Sequence, residues 1–234
     1  MLWELVRGLD PDAWLAPTPA WGWDVRDTIA HLADTDEMAA DTATGGPRAL
    51  AAVAAQSTSP EDTTYRGVLR GRRLPGAGVL AWWERASARA LEVLGALDPA
   101  TRVPWGLGMK ATSFVAARLM ETWAHGLDVH AALGREPVDT DRLAHVAWLA
   151  TRALPYAHSV AGIDPPAEPL RVELTLPSGA TWVSGPEDAP ARITGPAGEY
   201  CRVFVRRMRP ADARGLQAVG DAAGRALRVA RAYL

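Results

Sequence analysis

The sequence predicts an α+β protein, a helical bundle over residues 1–157 followed by a small α/β domain over residues 158–234. Three observations predict it. Residues 1 to about 157 are rich in Ala and Leu, with apolar side chains at helical spacing. From about residue 158 the chain turns Pro-rich and then alternates apolar and polar residues as strands do. A composition of 48% hydrophobic and 22% charged residues over 234 positions is that of a globular chain able to bury a core.

The first clear helix starts after Asp24, a good N-cap, with Asp27 placing an acid in the first turn. It runs through His31 and Met38 and stops at Gly45-Gly46-Pro47. An Ala-rich stretch over 47–56 suggests a short helix, and the polar stretch 57–75 reads as a loop. Residues 76–97 form the next helix, its apolar face made by Val79, Trp82, Trp83, Ala86, Ala90, Val93 and Leu94. Residues 98–111, with two prolines and two glycines, make a connection. A long helix follows from Ser113, a candidate N-cap, to Gly134, a candidate C-cap, and another covers 139–154. Helices and loops of these lengths suit a bundle. Beyond them, strands at 170–176 and 180–183 flank Pro177-Ser178-Gly179, a hairpin signal. A third strand is expected at 191–194, and helices at 198–208 and 221–233.

A net charge of −2 and a pI near 6.2 give no field suited to nucleic acid or an anionic membrane. No stretch approaches the roughly 18 apolar residues of a membrane span. Glu4 and the absence of a long apolar run argue against a signal peptide, so the cytoplasm is the expected compartment. Cys201, the single cysteine, excludes an intramolecular disulfide and a cysteine-based zinc site, and is expected to be a buried helix residue. Lys110 is the only lysine; the scattered arginines read as genome composition, paired with nearby acids. The ten tryptophans read first as core and helix–helix contacts. The partners expected are a small-molecule substrate and, as assembly, a homodimer.

The long helix carries the chemistry. Glu121 and His125 lie ~40° apart on one face, within reach of a common ion, while His130 is ~140° from His125. Arg118 and Asp128 fall on the same stripe. The competing reading is a solvated i,i+4 pair, but apolar residues flank the stripe, which turns it toward the bundle interior. The Asp24 helix offers His31, on a face with Thr35 and Met38. Asp34 follows His31 by three residues as Asp128 follows His125, so both carboxylates are candidates to orient imidazoles or to act as a base. For His31 a buried histidine bonded to a carbonyl, or an exposed one, is the competing reading. Two imidazoles and a carboxylate suit Zn²⁺, and also Ni²⁺, Fe²⁺ or Mn²⁺, with coordination positions left open.

At these residues the chain resembles a known family. Thr18-Pro19-Ala20-Trp21-Gly22-Trp23-Asp24-Val25, Ile29-Ala30-His31-Leu32 and Met120-Glu121-Thr122-Trp123-Ala124-His125-Gly126-Leu127-Asp128-Val129 are similar to the mycothiol-dependent maleylpyruvate isomerase group of the DinB/YfiT-like superfamily. The resemblance implies a DinB-like bundle whose metal is held by His31, Glu121 and His125, with mycothiol or a related thiol as cosubstrate. The leading helix of that family looks shortened here. Residues 191–207, with the helix after Val219-Gly220-Asp221, are similar to the sterol-carrier-like domain appended to these isomerases. The resemblance also implies a second-domain arginine in the active site, with Arg206 or Arg207 the nearest match.

Three functions follow as expectations. The first is a metal-dependent isomerase or S-transferase acting through a small thiol on a carboxylated substrate. The second is a thiol-independent hydrolase, lyase or cyclase of secondary metabolism, with Asp34 or Asp128 as base. The third is a non-catalytic protein binding a metal or a lipid-like ligand.

Overall fold

The computed structural model describes residues 2–106 and 108–232, which fall into two compact units, 1–137 and 138–234. The first is helical: α1 (Leu2–Val6), α2 (Val25–Thr44), α3 (Leu50–Ala54), α4 (Pro60–Gly71), α5 (Gly76–Gly95) and α6 (Ala111–Ala132). A two-stranded antiparallel ribbon, β1 (Arg102–Val103) and β2 (Met109–Lys110), feeds α6. Because β2 runs straight into that helix, it begins two residues before the Ser113 expected to cap it.

Helix α2 is the axis of the unit and packs on α4, α5 and α6. Its start is set by a capping box. The Asp24 carboxylate accepts from Asp27 N (2.7 Å), and Asp24 N donates back to Asp27. Gly45, at φ 75°, ends it in the left-handed region. A helix surrounded on three sides buries its polar residues too, and Asp27, Asp34, Asp36 and Asp41 are all buried. An unpaired buried charge is costly, and each of these acids meets an arginine. Asp27 pairs with Arg72 (2.6 Å), Asp34 with Arg48 (2.5 Å) and Arg70, Asp36 with Arg118 (2.9 Å), and Asp41 with Arg89 (2.5 Å). The arginines are therefore tertiary clamps, up to 82 residues from their acids, and not simply neighbours in sequence.

The stretch 57–75 is not a loop. Ser59 accepts from Asp62 N (3.1 Å), Pro60 opens α4, and Glu61 and Asp62 fill its first turn. At Gly67 and Gly71, α4 comes close to α2. A Cβ on Gly67 would stand 2.7 Å from Asp34 Cγ, and one on Gly71 would overlap the Ala30 side chain. Gly71→Ala should therefore lower stability by about 1–3 kcal/mol through overpacking, read as a lower urea midpoint at unchanged slope.

The second unit contains α7 (Leu143–Arg152), α8 (Leu154–Ala161), β3 (Leu170–Thr175), β4 (Thr181–Ser184), β5 (Ala191–Pro196), α9 (Ala197–Phe204), β6 (Gln217–Val219) and α10 (Asp221–Val229). The sheet order is β4-β3-β5-β6, with β3 and β5 parallel and both edge strands antiparallel. The β3–β4 hairpin turns at Gly179 (φ 88°), where sequence placed it. One core buries Val172, Leu174, Ile193, Tyr200, Cys201 and Phe204. Helices α7 and α8 belong here, so the division falls at 137/138 and not at the expected 157/158. The reason is that α7 packs on α9: Cys201 Sγ approaches Leu143 O (3.7 Å), and Tyr200 Oη pairs with Thr151 Oγ1 (2.9 Å).

Helix α9 stops at Phe204 and not at 208, because Arg206 turns left-handed (φ 58°) and Arg207 N bonds back to Arg202 O (2.9 Å). Strand β6 has only three residues and gave no pattern to read. The helix expected at 221–233 runs to Val229, and its expected end at Tyr233 lies outside the described residues. Among the described residues no helix is long and apolar enough to cross a membrane.

Candidate metal centre

Packing of α2 against α6 brings His31, Glu121 and His125 together, with one donor atom from each lying within 4.8 Å of the others. Glu121 Oε2 is 3.7 Å from His31 Nε2 and 3.5 Å from His125 Nε2. Both separations exceed a good N–H···O hydrogen bond of roughly 2.7–3.2 Å. They lie nearer the ~3.4 Å edge of a tetrahedral site whose ligands stand ~2.0–2.1 Å from the ion. The three side chains keep 11, 22 and 13% of their surface exposed, which leaves room for a solvent-side ligand. His130, expected off this face, is not among the converging donors.

The surroundings fix the donors. His125 Nδ1 and Asp128 Oδ2 are 3.1 Å apart, and Asp128 is buried. That contact holds the proton on Nδ1 and leaves Nε2 as the donor facing Glu121. Trp23 packs beside both rings, 6.0 Å from His125 in a stacked pose and 5.2 Å from His31. The two imidazoles meet edge to face at 4.7 Å.

Burial and charge set the protonation states. Burial pushes the His31 pKa down, only partly opposed by Glu121. Burial would raise Glu121, but the imidazoles of His125 and His31 outweigh it and hold the carboxyl well below the usual carboxylate range. Burial would lower His125, yet Asp128 and Glu121 together raise it. His31 and Glu121 are thus ready donors at neutral pH, and His125 is the one that a proton contests.

Metal affinity should rise with pH through the raised His125 pKa, above its ordinary value of 6.5, as one proton is displaced. Asp128→Asn removes the support, so the midpoint of that pH dependence should move down. Affinity on the high-pH plateau should fall about 10–100-fold. Zinc titrations between pH 5.5 and 9 check both.

Other expected residues sit elsewhere. Asp34 does not orient His31: its buried carboxylate is clamped by Arg48 and Arg70, because it faces α4 and not α6. Arg206 and Arg207 belong to the second unit, where Arg206 is exposed and Arg207 donates to Val205 O (3.0 Å). Arg118 does more than share the stripe: it crosses to α2, where Nε and Nη2 bond Asp36 Oδ1 and Nη2 also bonds Thr35 Oγ1 (2.8 Å). Trp23 was missed as a site residue. Its signal was its place one residue before the Asp24 cap of the helix that carries His31.

Residues 1–130 match the mycothiol maleylpyruvate isomerase N-terminal domain. Two strains of Mycobacterium tuberculosis, CDC 1551 and H37Rv, hold similar uncharacterized proteins, each 39% identical over 230 residues, which is 98% of this chain and 89% of theirs. Two crystal structures of the mycothiol-dependent maleylpyruvate isomerase, one of a mutant, superpose with TM-scores of 0.58 and 0.56. They share 17% identity over 93% of this chain and 86% of theirs, a likeness of fold. With more than half its length matched, the chain belongs to the mycothiol maleylpyruvate isomerase N-terminal domain family.

Proposed function

We propose that this is a metal-dependent enzyme that activates a low-molecular-weight thiol, mycothiol or a close relative, to isomerise a small unsaturated carboxylate. The observation that carries the reading is the convergence of two imidazole nitrogens and an ionised carboxylate at separations longer than good hydrogen bonds and suited to one ion. A divalent ion held by His31, Glu121 and His125, zinc by donor chemistry, would supply Lewis acidity that lowers the pKa of a thiol.

The chain's own residues prepare the site. Asp128 keeps the His125 proton on Nδ1 and the Nε2 lone pair turned inward. Glu121 stays ionised, and Trp23 covers the two rings and limits water on that side. The thiolate must come from a cosubstrate, because Cys201 is buried and burial pushes its thiol pKa up. Reversible addition of that thiolate to a conjugated double bond, rotation, and expulsion of the same thiolate leave every atom balanced. A cytoplasmic location is part of this proposal.

The test is turnover of maleylpyruvate with and without mycothiol. Turnover that needs the thiol and disappears in His31→Ala supports the reading. Turnover without thiol, or none with it, overturns it.

A further inference from the structure

Arg118 has unused hydrogen-bonding capacity beside the metal-ligand cluster. It stands one turn before Glu121 on α6, and its partner Thr35 stands one turn after His31 on α2. Thr35 Oγ1 donates to His31 O (2.8 Å) and accepts from Arg118 Nη2, so the guanidinium lies against the turn that carries His31. Its charge is near enough to His31 to disfavour the imidazolium.

The donor count is uneven. The Nε hydrogen goes to Asp36, and the two on Nη2 go to Asp36 and Thr35. Among the described residues Nη1 has no partner, and it is not among the buried polar atoms left unpaired, so it reaches solvent. Asp36 and Thr35 thus lock one edge of a rigid fork while two N–H groups stay open. A planar cation held this way is suited to a carboxylate.

We propose that Arg118 is a substrate-binding residue of the first unit, its Nη1 taking one carboxylate of the substrate beside the His31, Glu121 and His125 cluster. The inference rests on the proposed function for the identity of the substrate class. It gives the carboxylate an anchor on α6.

The experiment is calorimetric titration of maleate, an unsaturated dicarboxylate, into wild type, Arg118→Lys and the double variant Asp36→Asn/Arg118→Gln. Lysine keeps a charge opposite Asp36 but lacks the second nitrogen. The double variant removes both charges and strands neither, so it reports even if the single variant folds poorly. Each protein is titrated zinc-saturated and after chelation. We expect maleate to bind both variants roughly 10- to 100-fold more weakly than wild type, with zinc content unchanged. In the chelated protein the loss should persist, so a failure of the metal reading leaves this effect visible. Equal binding by all three proteins, or no measurable binding by wild type, overturns the assignment, while zinc content and thiol-dependent turnover report separately on the proposed function.

Discussion

Glu121→Gln is expected to abolish stoichiometric metal binding and thiol-dependent turnover while leaving the helical bundle folded. Glu121 is the donor that both imidazoles face, and the only one of the three carrying a negative charge. The amide keeps the side chain's shape and one oxygen but removes the charge, and it places N–H donors where a lone pair is needed. Loss of a direct ligand should exceed the ~10–100-fold that loss of a ligand's supporting partner costs, so affinity should fall by at least about 100-fold. His31→Ala should do the same. His31 is held neutral by burial, so its removal strands no charge. Thermal melts read the effect without an assay. Zinc at 100 times the wild-type Kd should stabilise wild type by ~2.7 kcal/mol and either variant by no more than ~0.4 kcal/mol.

The largest stability effect is expected at Asp36→Ala. Asp36 and Arg118 keep only 7 and 10% of their side-chain surface, and their bond spans α2 and α6, the two helices that carry the candidate ligands. Removing Asp36 leaves a guanidinium buried against α2 with Thr35 as its remaining acceptor. Breaking a buried pair in this way typically costs about 3–5 kcal/mol. Replacing both partners with apolar residues, Asp36→Leu with Arg118→Met, should recover most of that loss because no charge is left alone. Urea unfolding of the two variants checks the contrast. The double variant should still lose the maleate affinity assigned to Arg118.

How much of this was readable from the chain depends on the range of the interactions. The start of α2 was legible because a capping box is local: Asp24 and Asp27 satisfy each other within one turn. The pairing of Glu121 with His125 was legible for the same reason, being helical geometry alone. His31 joins them only through the packing of α2 on α6. No spacing encodes that packing, and the family resemblance supplied it. Asp34 and Asp128 stand in the same relation to their histidines, yet only Asp128 bonds one, because Arg70 of α4 and Arg48 of the connection after α2 lie on the Asp34 side. Helix α4 was hidden because its stretch is polar, and its glycines serve close approach to Asp34 and Ala30. Helix α7 looked like another bundle helix, since an amphipathic face does not say which core it will join.

The most direct test of the metal centre is anomalous diffraction from crystals of the zinc-loaded protein. One peak is expected about 2.0–2.2 Å from His31 Nε2, His125 Nε2 and a Glu121 carboxylate oxygen, with Asp128 still on His125 Nδ1. A peak bound by other residues, or none at these three, would contradict the account.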